Sequence, residues 1–237
     1  MDLLHALYLG VIKAHCSAML WCIVLSNCFS SGGAQEERVE TARIALKGRL
    51  DKWYKARHSA DKEEGLTRIS DLTRKMMGEP GGKLLKVKAA EAWGVLLFLV
   101  DLGRLVARRL CATAKMFVDS GQCLIDLVWC FQRNGPTMPT DQIDHCFDSY
   151  SRYLFLTRGV EELIFPKRHV VCHAIERLYD QGNPKFFGNW WDEALNKLLK
   201  AACRTVSQVT FEPSLVKRMR TILAKSAKKR GYLEIST

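Results

Sequence analysis

No CxxC pair, GxSxG, Walker loop or GxGxxG occurs in this chain. A thiol-clamped zinc, a hydrolase nucleophile elbow, a phosphate cradle and a dinucleotide fingerprint are therefore missing. Sustained strand alternation is also lacking, which argues against a sheet. There is no internal repeat and no low-complexity tract, so neither a solenoid nor a biased tail accounts for the length. Acid is in short supply. Asp and Glu number 25 against 36 Lys and Arg, a formal net charge of +11 with a pI near 9.3.

What is present is an ordinary globular composition, 48% hydrophobic and 26% charged, in 237 residues. That length buries a real core in one large domain or two small ones. The positive surplus favours polyanionic partners such as nucleic acid, an RNA-rich particle or an acidic membrane face; a basic protein with no such partner is the alternative. The nine cysteines are odd in number and loosely spaced among apolar neighbours. They read as buried free thiols in a reducing compartment, which points to an intracellular chain, nuclear or cytoplasmic. Residues 17–29 are apolar, but Asp2, His5, Lys13 and His15 precede them, so Lys13 and His15 interrupt the longer apolar run from the N-terminus. A secretory signal wants a positive start, and a spanning helix needs about 20 apolar residues. A buried core helix is the expectation, and a membrane anchor the lesser alternative.

The 3.6-residue period runs through nearly every segment, so the predicted fold class is all-α, an irregular assembly of roughly nine helices. Residues 2–29 form an apolar helix or broken pair. Val39, Ala42, Leu46, Leu50 and Trp53 share one face of the next. A third helix is expected from Asp61, with Glu64 returning a capping bond and a stripe of Leu66, Ile69, Leu72 and Met76. Gly78-Glu79-Pro80-Gly81-Gly82 is the best internal boundary. The predicted regions are 1–78, 83–211 and a basic helix and tail over 212–237. Within the central region, residues 87–110 read as a helix buried by its neighbours. Further helices are expected around Phe117–Phe131, from a Thr140 cap, from Pro166 to Tyr179 and from an Asn189 cap. The last opens at Pro213-Ser214.

Three constellations could carry chemistry. From 196 to 231 ten basic residues face one acid, Glu212. Lys217, Arg218, Arg220, Lys225, Lys228, Lys229 and Arg230 are the candidate nucleic-acid contacts. Such a segment displaces counterions from a phosphate backbone, giving non-specific, salt-sensitive binding to DNA; a solvated helix face is the alternative. His169 and His173, at i and i+4, share a helical face and could grip one metal. The Glu of HExxH is absent, and packing or hydrogen bonding explains the pair better than zinc does. Asp192 and Glu193 follow Asn189 at a helix start, where the dipole alone accounts for them. No small-molecule site is evident, and a protein or RNA partner without catalysis is a second reading.

Asp2-x-x-His5 followed by Gly10-Val11 resembles a signature in the catalytic region of large DNA transposases of the CACTA (En/Spm-like) group and related mobile-element proteins. Lys88-Ala89-Ala90-Glu91 resembles their K-x-x-E segment. Pro166-Lys167-x-His169-x-x-x-His173, Gly182-Asn183-Pro184 and Trp191-Asp192-Glu193 resemble their P-K-x-H-x-x-x-H, G-x-P and terminal-acid block. Those enzymes have an RNase H-like core in which two aspartates and a glutamate hold a pair of divalent ions, Mg²⁺ or Mn²⁺, on hard oxygen ligands. The resemblance implies that Asp2 matches the second aspartate, that Glu193 or Asp192 matches the last acid, and that the helices between form an insertion. It also implies that the strand bearing the first aspartate would precede Met1. The expectation is thus a truncated or domesticated transposase part, DNA-associated and catalytically incomplete alone, whose missing N-terminal part is a possible partner. If it keeps the active-site geometry, Asp2 and Glu193 should meet.

Overall fold

The computed structural model describes residues 3–26, 28–29, 32–61, 65–82, 85–186, 199–201, 203–204 and 210–229. The protein is all-α, and among the described residues there is no strand. The chain divides into two compact units, Met1–Gly188 and Asn189–Thr237.

The first unit is organised on its N-terminal helix. A π-helix, Leu4–Ile12, runs directly into α1 (Lys13–Leu25). α2 (Gln35–Ala60) and the single turn α3 (Arg74–Met77) follow. Then come α4 (Ala89–Leu105) and α5 (Ala112–Arg133), joined through a 3₁₀ turn at Ala107–Arg109. α6 (Thr140–Leu156), α7 (Pro166–Glu176) and α8 (Leu178–Gln181) complete the unit.

The α1 surface explains its central place. Cys16, Met19 and Ile23 have no exposure, and Leu20 and Trp21 are nearly as enclosed. The helix packs on both α4 and α5, and the π segment on α4 and α7. The Trp21 indole N–H donates to the Met77 carbonyl at 3.2 Å, tying α3 to this axis. His5–Leu25 is long and apolar enough to cross a membrane, and 72% of its most apolar window is buried inside the fold. That burial fits a core helix, whose apolar surface is matched by neighbouring helices. The Gly78–Gly82 break lies inside this unit, and helices from both sides of it share one core.

α2 buries Val39, Ala42, Leu46, Leu50 and Tyr54, the stripe its spacing predicts with Tyr54 in place of Trp53. Trp53 is half-buried and donates from Nε1 to Asp101 Oδ2 at 2.9 Å on α4. α5 and α6 form the most extensive pair, an antiparallel hairpin across Asn134–Pro139. Asn183, fully buried, braces the connecting loop. Its Nδ2 donates to the carbonyls of Phe131 at 2.8 Å, Asn134 at 3.1 Å and Gly135 at 3.2 Å. Gly182 before it has φ +73°, and a Cβ there would clash with the Pro136 carbonyl.

The helix expected from Asp61 is not formed. Residues 65–73 are non-helical, and only α3 remains of it. Gly65 turns the chain at φ +61°, and Thr73 caps α3 by accepting from the Met76 N–H at 3.2 Å. Ile69 and Leu72 are buried all the same, docked from non-helical backbone, and Arg43 holds the Leu72 carbonyl at 2.8 Å. α6 opens at Thr140 with Pro139 as its cap residue and no side-chain capping bond. The helix from Pro166 breaks at Arg177 before α8. The Asn189 start lies outside the described residues.

In the second unit α9 spans Phe211–Lys229. It begins two residues before the expected Pro213, which sits in its first turn, where a missing N–H costs no helix bond.

Candidate functional site

The π segment, the start of α4 and the start of α7 meet around Lys13. Gly10 leaves room for Lys167. A Cβ there would lie 2.7 Å from Lys167 Cδ and 3.1 Å from Lys167 Cβ, so a larger residue would push the Lys167 side chain aside. The Lys13 ammonium is partly buried, and its pKa lies below the ordinary lysine value. Burial is the largest cause, the Glu91 carboxylate opposes it, and the like charge of Lys167 adds to it. Glu91 is held in place by the α4 N-terminus, where its Oε2 accepts the Lys88 backbone N–H at 2.8 Å. Its Oε1 lies 3.8 Å from Lys88 Nζ. Segments at Gly10, Lys88–Glu91 and Pro166–Lys167 thus lie close to Lys13. Lys13 and Lys88 both lie near the Glu91 carboxylate, and Lys167 lies near Lys13. Sequence reasoning treated Lys13 only as an interruption of an apolar run. The signal was its place three residues after Gly10.

One turn further along α7, His169 and His173 do share a face. Their Nε2 atoms are 2.9 Å apart, and His173 Nδ1 lies 2.7 Å from Glu176 Oε2. His145 is exposed on α6 and its neighbour Cys146 is buried. No group of three or more His, Cys, Asp or Glu side chains is poised to hold a metal among the described residues. All nine cysteines are free thiols, most of them buried or half-buried. Burial raises the Cys16 and Cys146 thiols far above the ordinary range, as expected of packing residues.

Of the candidate nucleic-acid contacts, Lys217, Arg218 and Arg220 are exposed on α9 and make no ion pair with any described residue. Lys225, Lys228 and Lys229 lie on the same helix. Arg230 lies outside the described residues, as do Asp2, Asp192 and Glu193. The expected meeting of Asp2 with Glu193 therefore lies outside the described residues. The chain matches no family model, no curated protein and no solved structure. Its functional reading rests on its own residues.

Proposed function

We propose that the protein is a DNA-associated helical protein of transposase descent, which grips the phosphate backbone through α9 without reading bases. The observation that carries this reading is the exposed cationic surface of Lys217, Arg218 and Arg220 on one helix, in a segment with a single acid. Guanidinium and ammonium groups so placed neutralise phosphates and release counterions. The closeness of three motif segments to Lys13 supports the descent. The proposal is one of binding, not of cleavage, since no described residue lies in a strand that could carry an RNase H-like carboxylate.

Anisotropy titrations with labelled duplexes of unrelated sequence, repeated across a salt series, test it. Affinities should be alike for all duplexes and fall linearly in log–log form with salt. Every phosphate that a variant fails to neutralise should reduce the slope by about 0.9. A Lys217→Gln, Arg218→Gln, Arg220→Gln variant should therefore flatten the slope by roughly 2–3. Unchanged affinity and slope would mean that α9 is only a solvated face.

A further inference from the structure

We infer that His169 and His173 form a surface chelate for a divalent transition-metal ion, held at two adjacent corners of its coordination sphere, with Glu176 as the positioning residue. The site is built on α7 by spacing alone, since i and i+4 stack one imidazole above the other. Its distances carry more than the spacing does. The two rings meet edge to face with centroids 4.3 Å apart, and it is the Nε2 atoms, 2.9 Å from each other, that converge. With metal–nitrogen bonds of about 2.05 Å, that separation subtends roughly 90° at the ion. A tetrahedral ion would want the nitrogens about 3.35 Å apart by the same bond length. A small turn of the two rings from this separation reaches the cis positions of a square-planar or octahedral ion such as copper(II) or nickel(II).

Glu176 is what separates this pair from two histidines that merely share a face. Its carboxylate accepts the His173 Nδ1 proton at 2.7 Å. That bond fixes the tautomer and orients the ring with its Nε2 lone pair outward, as carboxylates do behind metal-bound imidazoles. Without metal the lone pair accepts the Nε2 proton of His169. To bind, His169 moves that proton to its own Nδ1, and both imidazoles offer a lone pair with no change in charge. The rings are exposed, so water fills the remaining positions. His169 also lines an open cleft of about 620 Å³ bounded by Leu154, Arg158, Phe165 and Cys172, which leaves room for an outside ligand on the ion.

Nickel(II) is the probe, because copper(II) would oxidise the free thiols. The whole chain, without an affinity tag, should be retained on an immobilised nickel(II) chelate and show a nickel-dependent rise in Tm. His169→Ala and His173→Ala should each remove both effects while leaving the metal-free circular dichroism unchanged. Glu176→Gln should weaken nickel binding about 10- to 100-fold, the size seen when an outer-shell partner is lost. Cobalt(II) absorbance identifies the ligand atoms. A thiolate charge-transfer band, or full nickel affinity in either histidine variant, would place the metal on cysteine and overturn the inference. Absence of any nickel-dependent change in the parent chain would overturn it as well.

Discussion

α5 and α9 are helices of similar length with apolar residues at helical spacing, and they meet opposite fates. In α5, Phe117, Leu124, Val128 and Phe131 are buried against helices contributed by other parts of the first unit. In α9, Phe211 is 37% and Val216 50% exposed, and no described side chain of the helix is buried. The difference lies in what surrounds each stripe. The polar face of α5 mixes both charge signs, whereas that of α9 is almost wholly cationic. A helix of the first kind gains stability from packing. One of the second kind presents exposed positive charge at Lys217, Arg218 and Arg220.

The largest expected effect tests the burial side of that contrast. Leu124→Ala should cost about 2–5 kcal/mol, since the enclosed site cannot collapse fully. Val216→Ala on α9 should stay within about 0.5 kcal/mol. Urea unfolding of both variants measures this, and equal costs would erase the distinction.

The buried His15 sharpens it next. Nε2 of His15 donates to the Phe117 carbonyl at 3.0 Å, while its Nδ1 is buried with no partner. A proton added at Nδ1 would be a desolvated charge, and burial takes the pKa from 6.5 to about 4. Because the folded value lies below the unfolded one, the unfolded chain binds more protons between them. Stability from this group is whole above pH 6.5 and lost as pH falls toward 4, roughly 3 kcal/mol in all. Denaturation midpoints at about pH 7 and about pH 4.5, on either side of most of that window, should therefore differ less in His15→Gln than in the parent. Equal falls would place the acid sensitivity elsewhere.

A smaller loss is expected at the end of the α5–α6 hairpin. Asn183→Ala leaves buried carbonyls without a donor and should cost about 1–3 kcal/mol. Asn183→Asp should cost at least as much, because a carboxylate cannot donate; a milder effect in urea unfolding would show that water replaces the amide.

The smallest expected effect is on α9 itself. The triple glutamine variant at 217, 218 and 220 should shift stability by less than about 0.5 kcal/mol while reducing DNA affinity. A large drop in Tm would show these side chains to be structural.

Most helices were legible, because burying a helix on one side leaves a 3.6-residue signature whatever its partner. The failure at 61–76 shows the limit of that logic. Leu66, Ile69, Leu72 and Met76 imitate a helical stripe, yet Ile69 and Leu72 reach the core from non-helical backbone once Gly65 turns the chain. The His169–His173 pair was legible for the same local reason as the helices. Glu176, three residues on, follows the same rule and went unnoticed.

Sequence by itself determined the all-α class, the cationic C-terminal helix and the two histidines on one face, since each depends only on neighbours within a few turns. Tertiary structure alone decided that Lys13, Glu91 and Lys167 share one site and that His15 is sealed from water. It also decided that Asn183 braces a hairpin loop some fifty residues upstream, with separations of 48 to 52 in its bonds. Those outcomes depend on how close two segments come, as at Gly10 and Lys167, and no periodicity along one chain encodes that distance.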